Sequence, residues 1–586
     1  MHKKRLITVL ATLTVVTIIF GSASTASADL SFGNTLPLEQ RQVQEFTIQE
    51  PPHPGHVWYL YSVNAAMQLL FAAPPLMWTD KNLCHEADFT CLADAKRFTA
   101  NGFFGDCNGG ASPPCIESIE GRNRNDSEWV RGTIDREIDW LPSQADLDQF
   151  VRSINSDMFG GVVTGVSDNK GWAKNDTLGL YASADAPLSF RIPGVLNEGG
   201  TDTYLVDSRY SVRTTVSDGT PIHQAPENVF LNIRPFVTVP GGSQPLQAYR
   251  NGPTGSGGVT PGQAFTSKKE SGLAVAFKPD SEFRVTFQLP NEIAGWFHGR
   301  MKDTDVQISK LDSQTNRVTV TGKSVMVPFT GVGWPFFSEQ AVKFRAENSI
   351  VWDPHSVEVF QKIEDSGVGG GGTGTAWSPD SGLDQEFKAF EPYFPPAALG
   401  QMSLWSLSTI SRYQTVTNPC LNRSDALQGV ITTNAMAYQG GVPRFSEGTL
   451  KYQVAGVHFD PNNQVFHGTY DLVMRSDAAR CLYGFSSAPI SATISVIDSA
   501  GDADVAVTSF AEKDGWITLS AHNFTFSDPI ISVKLSGEIA QPESTQSSGG
   551  TSVKTIKCVA KAKPYKTKTV KGKSPKCPKG YVKKSK

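Results

Sequence analysis

Beyond residue 28 this chain has no run of about eighteen apolar residues, so no membrane-crossing helix is expected there. It has no G-x-S-x-G elbow and no H-E-x-x-H pair; His53 and His56 sit in a proline-rich turn. Gly322-Lys323-Ser324 imitates the end of a phosphate-binding loop, but Arg317 stands where the first glycine is required. The pairs Leu36-Pro37, Leu141-Pro142 and Leu289-Pro290 lack the Thr-Gly of a sortase signal. With no complete catalytic motif the expectation is a non-enzymatic protein, with no cofactor and no metal. Acidic residues are missing from both ends: all 57 lie within residues 29–543. That acidic body argues against nucleic-acid binding and suits a self-repelling extracellular protein.

What the ends hold instead is positive charge. Lys3, Lys4 and Arg5, an apolar stretch from Leu6 to Phe20, and Ala26-Ser27-Ala28 read as a signal peptide over 1–28. The expected location is therefore secreted or cell-surface associated. From Ser544 to Lys586 there are thirteen lysines and two cysteines. Eight cysteines in an exported chain read as disulfides. Cys420 with Cys481 and Cys558 with Cys577 are isolated pairs. Cys84, Cys91, Cys107 and Cys115 allow three connectivities, of which the local one, 84 with 91 and 107 with 115, is favoured. His85, Glu86 and Asp88 lie in the first of those loops, where a solvated loop outweighs a cation site.

Helical periodicity is scarce. Val63, Met67, Leu70 and Phe71 share one helical face, as do Leu147, Phe150, Val151 and Ile154 behind Ser143. Elsewhere short apolar runs alternate with Gly, Asn, Asp and Pro clusters, the texture of β-sandwiches. The fold class expected is mainly β: several β-sandwich-like units with a partly helical, disulfide-containing N-terminal region. The division expected is 1–28 signal peptide, 29–250 N-terminal region, 251–267 Gly/Pro-rich linker or loop, and 268–365 second β unit. A Gly-rich linker at 366–376, a third β unit at 377–538 and the lysine-rich tail at 539–586 complete it. Gly322 is expected to turn the chain between strands 318–321 and 324–328. Strands 490–497, 505–511, 516–521 and 530–535 are expected to form a meander.

The block Ala479-Arg480-Cys481-Leu482-Tyr483-Gly484-Phe485-Ser486, with Asp514-Gly515-Trp516 and Asn523-Phe524-Thr525-Phe526, resembles a C-terminal module of exported actinobacterial proteins of unknown function. A lysine-rich tail commonly follows that module, and Thr555-Ile556-Lys557-Cys558 and Pro575-Lys576-Cys577-Pro578-Lys579-Gly580-Tyr581 are similar to it. The resemblance covers roughly 470–586. It implies a secreted or Gram-positive envelope protein and transfers no catalytic residue.

Lysines at short spacing in a disulfide-closed segment suit a polyanion. The residues expected to bind it are Lys557, Lys561, Lys563, Lys566, Lys568, Lys571, Lys573, Lys576 and Lys579. Anionic cell-wall polymers or surface glycans are the partners expected; with only Tyr565 and Tyr581 for stacking, nucleic acid is not. The rival reading is an extracellular carbohydrate-active enzyme or a glycan-binding protein with its site on sandwich loops. Asp135 with Glu137, or Glu512 with Asp514, would supply the carboxylates. Trp58, Trp78, Trp129, Trp140 and Trp172 could stack on sugars, although a sandwich core is the commoner place for tryptophan. Phe297-His298-Gly299 and Phe466-His467-Gly468 repeat a pattern without a nucleophile beside either.

Overall fold

The computed structural model describes, with short breaks, residues 97–136, 171–240, 270–335, 391–409, 418–539 and 554–584, together with isolated short strands and a few helical residues at 343–347 elsewhere. The signal peptide, Cys91, Lys573 and the expected helix at 147–154 lie outside the described residues, as does most of that at 63–71. Val63 itself closes a strand, Trp58–Val63.

The strands that carry the argument begin with β1 (Arg97–Phe103), β2 (Cys115–Arg122), β3 (Val130–Arg131), β4 (Thr203–Ser217) and β5 (Asn228–Pro240). Next come β6 (Glu282–Pro290), β7 (Gly295–Arg300), β8 (Lys302–Lys310), β9 (Thr315–Lys323), β10 (Val325–Pro335) and β11 (Gly400–Thr409). Then follow β12 (Leu427–Thr433), β13 (Thr449–Ala455), β14 (Gly468–Arg475), the helix α1 (Ser476–Tyr483), β15 (Ser491–Ile497), β16 (Val507–Lys513), β17 (Trp516–Phe524) and β18 (Ile530–Ser536). The tail supplies β19 (Lys554–Ala560), β20 (Thr567–Gly572) and β21 (Tyr581–Lys583).

One long sheet organises them, running β1-β4-β5-β11-β7-β12-β14-β17-β16, antiparallel throughout except between β7 and β12. Two smaller sheets pack on it. The first is β3-β2-β6-β9-β8; the second has β18 between β13 and β15. They lie on opposite faces. In the shared strands Phe297, Val430 and Val473 enter the first core, whereas Trp296, Ile431 and Leu472, on the other side of the pleat, enter the second. A strand covered on both sides needs no polar alternation. Every residue of β12, LQGVITT, is accordingly buried.

The protein is mainly β, as its texture implies, but the strands are shared more widely than the expected division. β6 of the second unit pairs with β2 of the N-terminal region, and β7 pairs with β11 and β12 of the third. Residues 372–377 of the Gly-rich stretch pair with β10.

Two local expectations are corrected. Gly322 is not a turn: it lies inside β9, close against Met301, and the chain leaves the small sheet at Ser324 so that β10 joins β11. The meander is not one sheet: β15 and β18 pair in the second small sheet, while β16 and β17 pair in the long one. Only the β16–β17 link is a tight hairpin. Its loop residues Asp514 and Gly515 have φ of 51° and 81°, the doubly positive pair that a two-residue turn requires.

Candidate functional site

Three disulfides are present among the described residues: Cys107–Cys115, Cys420–Cys481 and Cys558–Cys577. The second ties the turn at Asn418–Leu421 to α1, across 61 residues. The third closes the tail. No helix among the described residues is long and apolar enough to cross a membrane.

The tail folds with very little apolar material. Cys558 is buried, Ile556, Val559 and Val570 are half-buried, and β19 pairs with β20 on one side and β21 on the other. So small a sheet needs a covalent staple, which the disulfide supplies. Lys568 and Lys583 flank Cys558 in one row, with the Lys568 ammonium 5.3 Å from the Tyr581 ring centroid. Lys557 and Lys571 lie on the opposite face, and Lys561, Lys563, Lys566, Lys576 and Lys579 occupy the connecting segments. Ten lysines between 557 and 584 are exposed, and among the described residues none pairs with a carboxylate. The tail's ammonium groups thus surround a rigid strip.

Among the described residues, two histidine clusters sit in the body. His298, half-buried on β7, has Nδ1 3.0 Å from the Tyr438 hydroxyl and Nε2 3.4 Å from Ser408 Oγ. Burial, with the Arg300 guanidinium beside it, pushes its pKa down to about 3. The neutral ring is therefore the form present near neutral pH. Ser408 is the hydroxyl that sequence proximity missed, because it reaches His298 through cross-strand pairing of β7 with β11, 110 residues away. His467 of the repeated pattern has no such neighbour among the described residues; its backbone carbonyl accepts from Asn434.

The second cluster joins the first small sheet to the long one. Asp471, 1% exposed, holds His522 Nε2 at 2.8 Å and accepts from the Thr304 N–H at 3.3 Å. Thr304 meets Thr432 at 2.7 Å, and Asp303 lies 3.7 Å from His522 Nδ1 and 2.8 Å from Lys323 Nζ. Burial pulls the His522 pKa down, but the hydrogen bond and charge of Asp471, with Asp303, outweigh it and leave the pKa raised. The hydrogen bond that Lys323 donates to Asp303 likewise raises the Lys323 pKa, and Lys323 is thereby an ion-pair residue rather than part of a phosphate loop.

The carboxylates suggested for glycoside hydrolysis are engaged elsewhere. Asp135 is paired with Arg191 at 2.8 Å. Glu512 accepts from Arg480 at 2.6 Å, which holds its pKa low, and from the Ile490 N–H at 3.2 Å, while Asp514 is a turn residue. Glu137 and the His85-Glu86-Asp88 loop lie outside the described residues. Among the described residues no three His, Cys, Asp or Glu side chains gather as metal ligands. Trp172, Trp296 and Trp405 are core residues whose indole N–H groups donate to the carbonyls of Tyr181, Leu421 and Gly322. No family model, no curated protein and no solved structure matches the chain.

Proposed function

We propose that this is an exported, non-enzymatic, envelope-associated protein whose tail docks it to an anionic cell-wall polymer. The observation that carries the reading is the set of exposed lysines on a disulfide-closed sheet, none of them paired with a carboxylate among the described residues. Apart from the Lys568 contact with the Tyr581 ring, nothing among the described residues of that sheet requires them for packing. Ammonium groups without carboxylate partners remain available to an external polyanion, and their number makes the attraction additive and salt-sensitive. Their distribution over both faces and the connecting segments suits a flexible polymer that wraps the module better than a flat membrane, which would meet one face only.

The test compares the protein with a chain ending at Glu543, which keeps β18 and removes every tail lysine. Each is co-sedimented with purified Gram-positive cell walls from about 0.1 M to about 1 M salt, over which the Debye length falls from about 10 Å to about 3 Å. The full chain is expected to sediment at low salt and be released at high salt, while the shortened chain stays in solution throughout. Equal sedimentation of both, unaffected by salt, would sink the proposal.

A further inference from the structure

Among the described tryptophans Trp129 stands apart. It immediately precedes β3 and belongs to neither core cluster. Its ring lies against two guanidinium groups, with Arg284 Cζ 4.0 Å and Arg122 Cζ 4.5 Å from the ring centroid. Both arginines are fixed from the sheet. Arg122 pairs with Glu282 at 2.6 Å and Arg284 with Glu120 at 3.0 Å, on the outward-facing positions of β2 and β6. The indole is thus held by a charged ladder, half-buried, and among the described residues its N–H has no hydrogen-bond partner.

The same face continues across the sheet. Glu117 accepts from Arg317 at 2.8 Å and from Gln288 at 3.1 Å, and Thr286 meets Thr319 at 2.9 Å. Four strands at about 4.8 Å spacing give a strip about 14 Å wide, polar throughout, with one aromatic plate at its edge. We propose that this face, β3-β2-β6-β9, is a binding surface for a neutral oligosaccharide, with Trp129 as the plate on which a sugar ring stacks.

The chemistry selects that ligand class. A pyranose offers an apolar C–H face to an indole and a rim of hydroxyls that both donate and accept. Carboxylates and guanidinium groups already paired with each other keep spare lone pairs and N–H groups for such a rim. The ladder's charges cancel pairwise, Glu120 with Arg284, Glu282 with Arg122 and Glu117 with Arg317. A polyanion would gain no net attraction from charges so paired, and an apolar peptide would find a polar surface.

The test uses isothermal titration of the full chain with soluble β-1,4-linked hexamers of glucose and of N-acetylglucosamine. At least one is expected to bind. Trp129→Ala should weaken that binding by about tenfold or more, the usual effect of removing an aromatic anchor, whereas Trp129→Phe should stay within about threefold. Both variants should fold, since Trp129 lies outside both cores, and Trp129→Ala should lower the melting temperature only by what its two guanidinium contacts contribute. The chain ending at Glu543 should bind as the full chain does, which separates this surface from the tail. Failure of both hexamers to bind, or equal binding by Trp129→Ala, overturns the proposal.

Discussion

Asp471→Asn is expected to lower the folding stability by about 3 to 5 kcal/mol below pH 6.5, the cost of removing one partner of a buried ion pair, and by less at pH 8. Asp471 is enclosed between β14, β17 and β8, where it meets His522 and the Thr304 N–H. The groups facing His522 from the packed elements are Asp471, Asp303 and Lys302. A histidine whose folded pKa lies above its unfolded value contributes stability that is fully present below about 6.5 and is lost as pH rises through the folded pKa. The unmodified protein should therefore lose stability on the alkaline side of that value, and Asp471→Asn should flatten this slope by removing the charge that raises His522. Urea unfolding at several pH values between about 5 and 8 reads both effects. A cost that is constant with pH would show that Asp471 acts only by packing, and a cost below about 1 kcal/mol would remove the cluster as a clasp between the two sheets.

The alternation that marks β6, β8 and β9 was readable because one face of each meets water, and the lysine tail was readable because charge density is a local property. Sheet membership was not. The chain changes sheets at Ser324, and β15, β16, β17 and β18 divide between two sheets with turn residues that would suit a single meander. The continuous β4 reads as two strands because Asp207-Ser208-Arg209 interrupts its apolar pattern. Asp207 is buried in mid-strand all the same, its carboxylate taken bidentately by Arg209 at 2.7 and 2.9 Å and approached by Arg234 at 3.5 Å. Partners on neighbouring positions of the pleat remove the burial penalty that made the break plausible. The histidine clusters and the Trp129 ladder follow the same logic: each assembles residues more than a hundred positions apart through strand register, which periodicity along one strand does not encode.

Leu472→Ala should destabilise both sandwiches although its side chain enters only one. Leu472 is fully buried in the second core, and its loss leaves a cavity whose cost is about 2 to 5 kcal/mol. Its neighbour Val473 projects from the opposite side of β14 into the first core. The two cores therefore share one backbone, and β14 cannot leave the long sheet without uncovering both. Hydrogen exchange followed by mass spectrometry measures the consequence strand by strand. Amides of β6 and β9, in the first small sheet, should lose protection by the same free energy as those of β15 and β18, in the second. Loss confined to β15 and β18 would mean that the second sandwich opens independently, with β7, β12 and β14 kept in place by the first core alone. Equal loss would make the shared central strands, rather than any glycine-rich boundary, the feature that sets how the body unfolds.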